Sequence, residues 1–512
     1  LISDDKAKGF ENFKGLHWKI PITETVRKIP DLSFKKKALL KNMVYLTFIC
    51  RLLKVDFDLI KKSLEDFFKK PEKSEIIQEN LKVLELVEEW AGAYKLPFPT
   101  PSKNSFAPNS SKKERKILID GNTSSALGAL FAGCQFVSWY PITPASSLVE
   151  KFERLAEMYQ KDSKGKNKTL VLQAEDELAA VSQVIGAGWT GLRSMTSTSG
   201  PGLSLMAEGA GLSYFAEVPA VICHVQRAGP STGLPTRTQQ SDLLSTCFLS
   251  HGDSRHIVLI PGKPEECFQF TKLAFELADE LQTLVIVLTD LDLGLNLRTG
   301  PFFKIPKELA SLKQRVLKAE DLDKKDFQAY GDEDESGVSY RTLPGIRHPK
   351  GAYFTRGSGH NKKAEYSEKP EDYTYILDKL KRKWSHAKKY MPTPIIEIQE
   401  SAQIAFVTFG ANESVIQELR EELSTKNKAS NYLRICSFPF PEKALSDFLK
   451  KQKHIFVVEQ NRDAQLKQLL SGEFPKEGHK MISLLQYDGR PLMFSHLKTE
   501  FKKKAPAECL KP

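Results

Sequence analysis

Apolar residues recur three and four positions apart over 38–48, 55–68 and 75–90, so the first 95 residues read as mostly amphipathic helix. Prolines at 97, 99 and 101 and a polar run over 104–115 then break the pattern, as a linker does. From residue 116 the texture changes. Short apolar runs at 117–119, 169–173, 193–198, 220–224 and 283–289 alternate with helical runs at 123–134, 175–188 and 203–215. That alternation predicts a parallel α/β sheet with helices on both faces. Between 300 and 385 periodicity fades and charge rises, with acids over 332–335 and a Gly- and His-rich run over 345–363, so this stretch reads as a long surface crossover. A second α/β unit follows, with strands at 404–409, 432–436 and 455–458 and helices at 413–423 and around 444–449. No short internal repeat is present.

Composition narrows the class. A length of 512 residues suggests about three to four domains, and 40% hydrophobic with 27% charged residues is ordinary for a globular chain. The net charge of +11 raises the question of nucleic acid, but the basic residues are spread out, apart from clusters such as 35–37 and 502–504. No aromatic-plus-basic RNA signature or helix-turn-helix pattern accompanies them, so a lysine-rich solvated surface is the simpler reading and no nucleic-acid partner is expected. A weaker reading gives the positive field an acidic electron-carrier protein to attract. The seven cysteines, at 50, 134, 223, 247, 267, 436 and 509, form no Cys-x-x-Cys, so neither a metal site nor a disulfide framework is expected in this chain. Reduced thiols, the lack of a long apolar run and the lack of a signal peptide point to a cytoplasmic protein with no membrane partner. The chain starts at Leu1, mid-pattern, and an incomplete amino terminus is expected.

Four segments carry candidate chemistry. In Tyr140-Pro141-Ile142-Thr143-Pro144, two prolines bracket a threonine just before a helix start, a place where the fixed φ of proline suits the first turn. Read alone, this is a turn and an N-cap. In Glu175-Asp176-Glu177, three acids end a strand and open a helix whose next face is small and apolar. Acids there are commonly dipole partners, yet the junction can also hold a partly desolvated carboxylate. The third segment, running from Thr196 to Met206, contains Gly200-Pro201-Gly202 and lets a backbone or ligand approach a helix start, although it lacks the Gly-Lys-Ser/Thr of a Walker loop. The fourth runs from Val225 to Arg237: a strand ends in Arg227 and a Gly/Pro-rich loop follows, where parallel sheets bind ligands and a guanidinium can grip a carboxylate. The bland alternative for Arg227 is a surface arginine on a turn.

Taken together and in order, the four segments resemble the pyrimidine-binding domain of the alpha subunits of 2-oxoacid:ferredoxin oxidoreductases. The matching stretches are Tyr-Pro-Ile-Thr-Pro (140–144), Gln-Ala-Glu-Asp-Glu (173–177), Thr-Ser-Gly-Pro-Gly-Leu-Ser-Leu-Met (198–206) and Val-Gln-Arg-Ala-Gly-Pro-Ser-Thr-Gly-Leu-Pro-Thr (225–236). The likeness extends to both flanks. Residues 22–95, with Lys41-Asn42-Met43 and Glu79-Asn80-Leu81, resemble the tail of the family's gamma domain, without its Gly-rich start. Residues 400–500, with Phe409-Gly410-Ala411-Asn412 and Val457-Val458-Glu459-Gln460-Asn461, resemble its second alpha domain.

The resemblance implies an α/β fold: a partial gamma domain (1–96), a linker (97–115), a parallel-sheet pyrimidine domain for thiamine diphosphate (116–300), a crossover (301–400) and a transketolase C-terminal-like α/β domain (401–512). It implies a glutamate hydrogen-bonded to the aminopyrimidine of thiamine diphosphate. The family places that glutamate nine residues before a helix glycine, which selects Glu177 ahead of Gly186 and leaves Glu175 in reserve, with Pro141 and Ile142 beside the cofactor. It implies substrate contacts from Thr143 and a substrate carboxylate held by Arg227. Arg237, ten residues on, is a candidate for the distal carboxylate of 2-oxoglutarate, a substrate also favoured over pyruvate by the likeness of the 229–236 loop. The implied reaction converts a 2-oxoacid and coenzyme A to acyl-coenzyme A and carbon dioxide and passes electrons to ferredoxin. The chain has no Gly-Asp-Gly followed by Asn and no cysteine cluster, so Mg2+, the diphosphate site and a [4Fe-4S] cluster are expected in a beta subunit.

Three other classes compete. A transketolase-like or decarboxylase-like thiamine enzyme shares the pyrimidine logic but needs its own diphosphate motif. A non-catalytic assembly subunit is expected to have lost its acids, Thr143 or Arg227, and all are present. A nucleic-acid-binding protein rests on charge alone.

Overall fold

The structure, a computed structural model, describes residues 1–10, 13–68, 74–95, 116–303, 315–324 and 326–510. The linker expected over 97–115 lies outside them. The chain divides into two compact units, 1–113 and 114–512.

In the first unit β1 (Ile2–Asp4) pairs in parallel with β2 (Trp18–Ile20), and after a short helix, Ile22–Arg27, come three longer ones: Phe34–Leu52, Phe57–Phe67 and Ser74–Ala91. Ser33 and Asp56 cap the first two, accepting from the N–H groups of Lys36 and Asp58. Val44, Phe48, Val83 and Val87 are fully buried between the helices, with Phe48 stacked on Trp90 at 5.6 Å. The helical periodicity of the sequence is therefore the periodicity of a packed core.

The second unit opens on β3 (Lys116–Ile119), which among the described residues pairs only with β10 (Arg298–Pro301). Its main sheet holds β4 (Phe136–Trp139), β5 (Leu170–Gln173), β6 (Ser194–Thr198), β7 (Ala220–Gln226), β8 (Ile257–Leu259) and β9 (Leu284–Asp290), all parallel, in the order β8-β9-β7-β6-β4-β5. β6, β7, β8 and β9 are buried along their whole length, as strands covered by helices on both faces are. The edge strand β5 leaves Leu170 and Leu172 exposed. The second sheet runs β11-β13-β12-β15-β16, from β11 (Ile395–Glu397), β12 (Ile404–Phe409), β13 (Ser430–Ile435), β15 (His454–Glu459) and β16 (Met481–Leu485); only β11 is antiparallel. β14 (Ser437–Phe438) leaves that sheet and pairs antiparallel with β8 at the edge of the first. One continuous core, including Val137, Val221, Val285, Val407, Leu433 and Val457, joins the two sheets.

The structure corrects the crossover. Residues 370–387 form an 18-residue helix, Pro370–Ala387, where the sequence pattern suggested irregular chain. Its Lys379 and Lys383 are buried and both pair with the carboxylate of Glu217, and Lys383 also donates to the Gln282 carbonyl at 3.2 Å. Burial raises Glu217, but the two ammonium groups outweigh it and hold its carboxyl below the ordinary glutamate value. The helical run expected over 203–215 is two helices, Gly200–Leu205 and Ala207–Phe215, meeting at Met206.

Candidate active site

The carboxyl ends of β4, β5, β6 and β7 each deliver one of the four segments to the same sheet edge. After β5, Asp176 caps the helix Glu177–Trp189 by accepting from the Ala179 N–H at 2.7 Å. That cap turns the chain so that Glu175 and Asp176 face solvent and Glu177 faces inward, 6% exposed. Among the described residues Glu177 has no hydrogen-bond or ion-pair partner. The helix start after β6 packs on it: a Cβ at Gly202 would overlap Thr198 Oγ1 and come within 2.8 Å of Glu177 Cγ and Oε1. Glycine at 202 is therefore a condition for the approach of these two segments. Two more polar atoms here, Thr196 Oγ1 and Ser199 Oγ, are buried without partners.

The segments after β4 and β7 clasp each other. Arg227 is 6% exposed, and its Nη1 donates to the carbonyl of Thr143 at 2.8 Å, while its Nε is buried without a partner. Burial lowers the guanidinium below the usual arginine value, opposed by the nearby Asp242 carboxylate. Pro141 and Thr143 are exposed and Ile142 is half-buried; the Ile142 carbonyl accepts from the Ser146 N–H at 3.0 Å, which shapes the loop ahead of the helix Ser146–Tyr159. Asn122 supports the loop from below, donating to the Pro144 carbonyl at 2.9 Å and to Ser147 Oγ at 2.8 Å. The Asp242 carboxylate stands 3.0 Å from where a Cβ at Gly200 would be, so it links the third and fourth segments.

Arg237 is exposed. The 228–237 loop closes on itself through Leu234 N–H to Ala228 O at 2.8 Å and Ala228 N–H to Arg237 O at 2.9 Å. Its base is held by both sheets of the unit. Gln240 Nε2 donates to Asp290 Oδ2 at 2.7 Å, Asn412 Nδ2 donates to Gln240 Oε1 at 2.9 Å, and Asn461 Nδ2 donates to the Gln240 carbonyl at 3.0 Å. Gly489, at φ +76°, backs the Arg237 stem, where a Cβ would stand 3.1 Å from Arg237 Cβ. Sequence reasoning named Asn412 and Asn461 only as parts of a pattern and passed over Gln240, Asp242 and His224. These partners lie tens or hundreds of residues apart, and no spacing rule connects them.

Among the described residues the Glu177 carboxylate, the Ser199 hydroxyl and the Arg227 Nε, at the carboxyl ends of neighbouring strands, are buried without partners, and so is the Thr196 hydroxyl within β6. Such groups cost free energy unless a ligand completes them. A ligand that brings a ring-nitrogen donor to Glu177 and an anion to Arg227 fits this set, so the residues present suit an aminopyrimidine cofactor and a carboxylate substrate.

The chain resembles known proteins over most of its length. A family model described as "Pyruvate flavodoxin/ferredoxin oxidoreductase, thiamine diP-bdg" matches residues 127–323. The 2-oxoacid:ferredoxin oxidoreductase 1 alpha subunit of Sulfurisphaera tokodaii is 33% identical over 497 residues, covering 93% of this chain and 74% of the relative. The 2-oxoglutarate synthase subunit KorA of Methanothermobacter thermautotrophicus is 32% identical over 358 residues, covering 68% of this chain and 88% of the relative. A solved structure of 2-oxoglutarate:ferredoxin oxidoreductase from Magnetococcus marinus, with 2-oxoglutarate, coenzyme A and succinyl-CoA bound, superposes with a TM-score of 0.82 at 26% identity. That match covers 97% of this chain and 82% of the other.

Proposed function

Because the chain belongs to the 2-oxoacid:ferredoxin oxidoreductase family as an alpha subunit, we propose that it carries the pyrimidine half of a site that converts 2-oxoglutarate and coenzyme A to succinyl-CoA and carbon dioxide, with electrons passed to ferredoxin. The observations that carry the reading are a buried Glu177 with no partner among the described residues, after β5, and the Arg227–Thr143 clasp between the segments after β4 and β7. Thiamine diphosphate, when bound, supplies the electron sink for breaking the bond between keto carbon and carboxylate. Glu177, 6% exposed, is the residue to hold a hydrogen bond to the aminopyrimidine ring. Glu175, exposed two residues earlier, is the weaker candidate. Pro141 and Ile142 form the loop wall beside the cofactor. Arg227, buried and fixed by one bond, offers its remaining donors to the substrate carboxylate, and the Thr143 hydroxyl lies on the same loop it grips. Arg237 takes the distal carboxylate. Its stem rests on Gly489 and its loop is anchored through Gln240, so the second sheet supports substrate choice.

The site is incomplete in one chain. Leu172 and Leu178, beside Glu177 in sequence, are exposed apolar residues, and they suit coverage by a beta subunit that brings Mg2+, the diphosphate site and the [4Fe-4S] cluster. None of the seven cysteines lies in a Cys-x-x-Cys, which supports placing the cluster in that partner. No helix among the described residues is long and apolar enough to cross a membrane, and a cytoplasmic location suits thiols kept reduced. Residues 1–96 take the gamma-domain role, 116–300 the pyrimidine role and 401–512 the transketolase C-terminal-like role, with 97–115 and 301–400 connecting them.

The test is anaerobic dye reduction by the holoenzyme with 2-oxoglutarate, then pyruvate, each with and without coenzyme A and thiamine diphosphate. Reduction that needs 2-oxoglutarate and coenzyme A is expected. Preference for pyruvate would assign a pyruvate-type member. No reduction with either would leave a non-catalytic assembly subunit. In Arg237→Ala the 2-oxoglutarate to pyruvate preference should fall about tenfold, and an unchanged ratio removes Arg237 from substrate choice.

A further inference from the structure

Consecutive carbonyls from Ile142 to Ala145 shape the turn that presents Thr143. Those of Ile142 and Ala145 accept from the backbone N–H groups of Ser146 and Leu148, at 3.0 and 3.1 Å. The two between them accept from side chains. Arg227 Nη1 donates to Thr143 O at 2.8 Å, and Asn122 Nδ2 donates to Pro144 O at 2.9 Å. Asn122 is 1% exposed and sits second in the helix Gly121–Phe131. An asparagine near a helix start is ordinarily a cap, but Asp120 already caps this helix, accepting from the Thr123 N–H at 2.6 Å. The Asn122 amide is left for the loop. Its orientation follows from chemistry: the Pro144 carbonyl can only accept, so the amide nitrogen faces it, and the second amide hydrogen goes to Ser147 Oγ at 2.8 Å.

Close packing seats that amide. A Cβ at Gly121 would stand 2.6 Å from Leu293 O, and a Cβ at Gly294 would stand 2.9 Å from Asn122 Oδ1. The Leu291–Leu295 helix therefore lies directly against Asn122 and the residue before it. Asn122 belongs to the helix that follows β3, Arg227 ends β7, and the loop they hold follows β4. Adjacent peptide groups of one loop are thus pinned from two separate parts of the fold. We infer that Asn122 is a positioning residue: by holding the Pro144 carbonyl it fixes the Thr143 hydroxyl relative to the Arg227 donors not spent on the loop, so that both groups meet one 2-oxoacid in register. This deepens, and rests on, the reading of Thr143 and Arg227 as substrate contacts. Without the amide, Arg227 keeps its own bond to Thr143 O, so the grip on the substrate carboxylate survives while the alignment of the hydroxyl is lost.

The experiment measures kcat and KM for 2-oxoglutarate in the holoenzyme, at saturating thiamine diphosphate and coenzyme A, in a cycle of Asn122→Ala, Thr143→Val and the double variant. Asn122→Ala should lower kcat about thirtyfold and leave KM within about threefold of the parent. In the Thr143→Val background the same change should cost less than about threefold, because the hydroxyl that it positions is gone. A merely structural asparagine would cost the same factor in both backgrounds. A kcat within about threefold of the parent in Asn122→Ala, or an equal loss in both backgrounds, overturns the inference. If Thr143→Val alone keeps the activity of the parent, the reading of Thr143 itself falls. If Thr143→Val loses activity and Asn122→Ala does not, only the role of Asn122 falls. Should Asn122→Ala not assemble, Ser147→Ala serves: it removes one of the acceptors that orient the amide, and kcat should fall about threefold with Thr143 present and stay unchanged in the Thr143→Val background. No fall in that variant overturns the inference as well.

Discussion

The two sheets of the second unit end differently. At the carboxyl edge of the first, Glu177, Thr196 Oγ1, Ser199 Oγ and Arg227 Nε are buried and lack partners. At the same edge of the second, the polar groups are nearly saturated. Glu459 accepts from Asn461 Nδ2 at 2.9 Å, from the Leu466 N–H at 2.7 Å and from the Lys467 N–H at 3.1 Å. Asn412, Gln460, Asn461 and Gln240 form one network, with Gln460 Oε1 left over. Both edges bury a glutamate at the junction of a strand and a helix. One is spent on its own fold and the other is held in reserve. Free energy favours satisfying buried polar groups, so an edge that leaves several unsatisfied among the described residues is poised for something outside the chain.

Breaking that difference at its strongest point should cost activity and not stability. Glu177→Gln replaces a buried carboxyl that has no partner among the described residues, so the thermal midpoint should hold or rise. Dye reduction by the holoenzyme should fall about 1,000-fold or more, which is about 4 kcal/mol at the barrier. Activity within tenfold of the parent would return Glu177 to the ordinary role of an acid at a helix start.

The frame should behave in the opposite way. Glu217→Gln leaves Lys379 and Lys383 buried with one carbonyl between them and should cost about 3–5 kcal/mol at neutral pH. The folded value of Glu217 is depressed below 4.5, so its contribution is complete above that pH and is lost as pH falls through the folded value. The gap in thermal midpoint between parent and variant should therefore narrow in acid. A gap independent of pH would mean that packing, not charge, holds the Pro370–Ala387 helix. Glu459→Ala strands three donors and should cost about 2–3 kcal/mol, measured as a loss of midpoint that carries activity down with it. If the activity lost in Glu459→Ala exceeds what unfolding explains, the second edge is part of the chemistry after all.

The sequence pattern reached the first edge more easily than the frame behind it. Strand and helix alternate where apolar runs of four to seven residues end in Gly, Pro or acids, and β5, β6, β7 and β9 were legible on that basis, with Glu177, Arg227 and Thr143 marked by their place at strand ends. β4 and the helix Pro264–Leu281 were not: the first is four residues of mixed character, and the second buries Lys272, Glu276 and Glu280 among its apolar residues, which blurs the apolar stripe. The Pro370–Ala387 helix was lost for the same reason. Two of its lysines read as solvated, and the carboxylate that buries them lies more than 160 residues upstream. His224 read as one more residue of an apolar strand, because nothing local announces the Asp242 carboxylate, whose Oδ2 stands 3.1 Å from its Nε2. The edge strand β14 pairs outside its own α/β unit, a crossing that periodicity cannot express. Local periodicity finds elements, whereas charge pairing across the fold decides what some of them bury.

The smallest effect sharpens the comparison most. Ser199 sits at the start of the Gly200–Leu205 helix in the Ncap position, yet its side chain makes no cap bond, and its Oγ is buried without a partner. A serine at an N-cap ordinarily accepts from the backbone two or three residues on, and losing it costs about 0.5–2 kcal/mol. Here there is no such bond to lose. Ser199→Ala should leave the thermal midpoint unchanged or raise it by the equivalent of about 0.5–1 kcal/mol, because a desolvated hydroxyl is removed from a site without acceptors. If the hydroxyl is kept for a ligand, the same variant should bind thiamine diphosphate about fivefold more weakly, read from the cofactor concentration that gives half-maximal dye reduction. Unchanged cofactor affinity together with a gain in stability would mark Ser199 as a packing imperfection. The reserve of unpaired polarity at the first edge would then shrink to Glu177, Thr196 and Arg227.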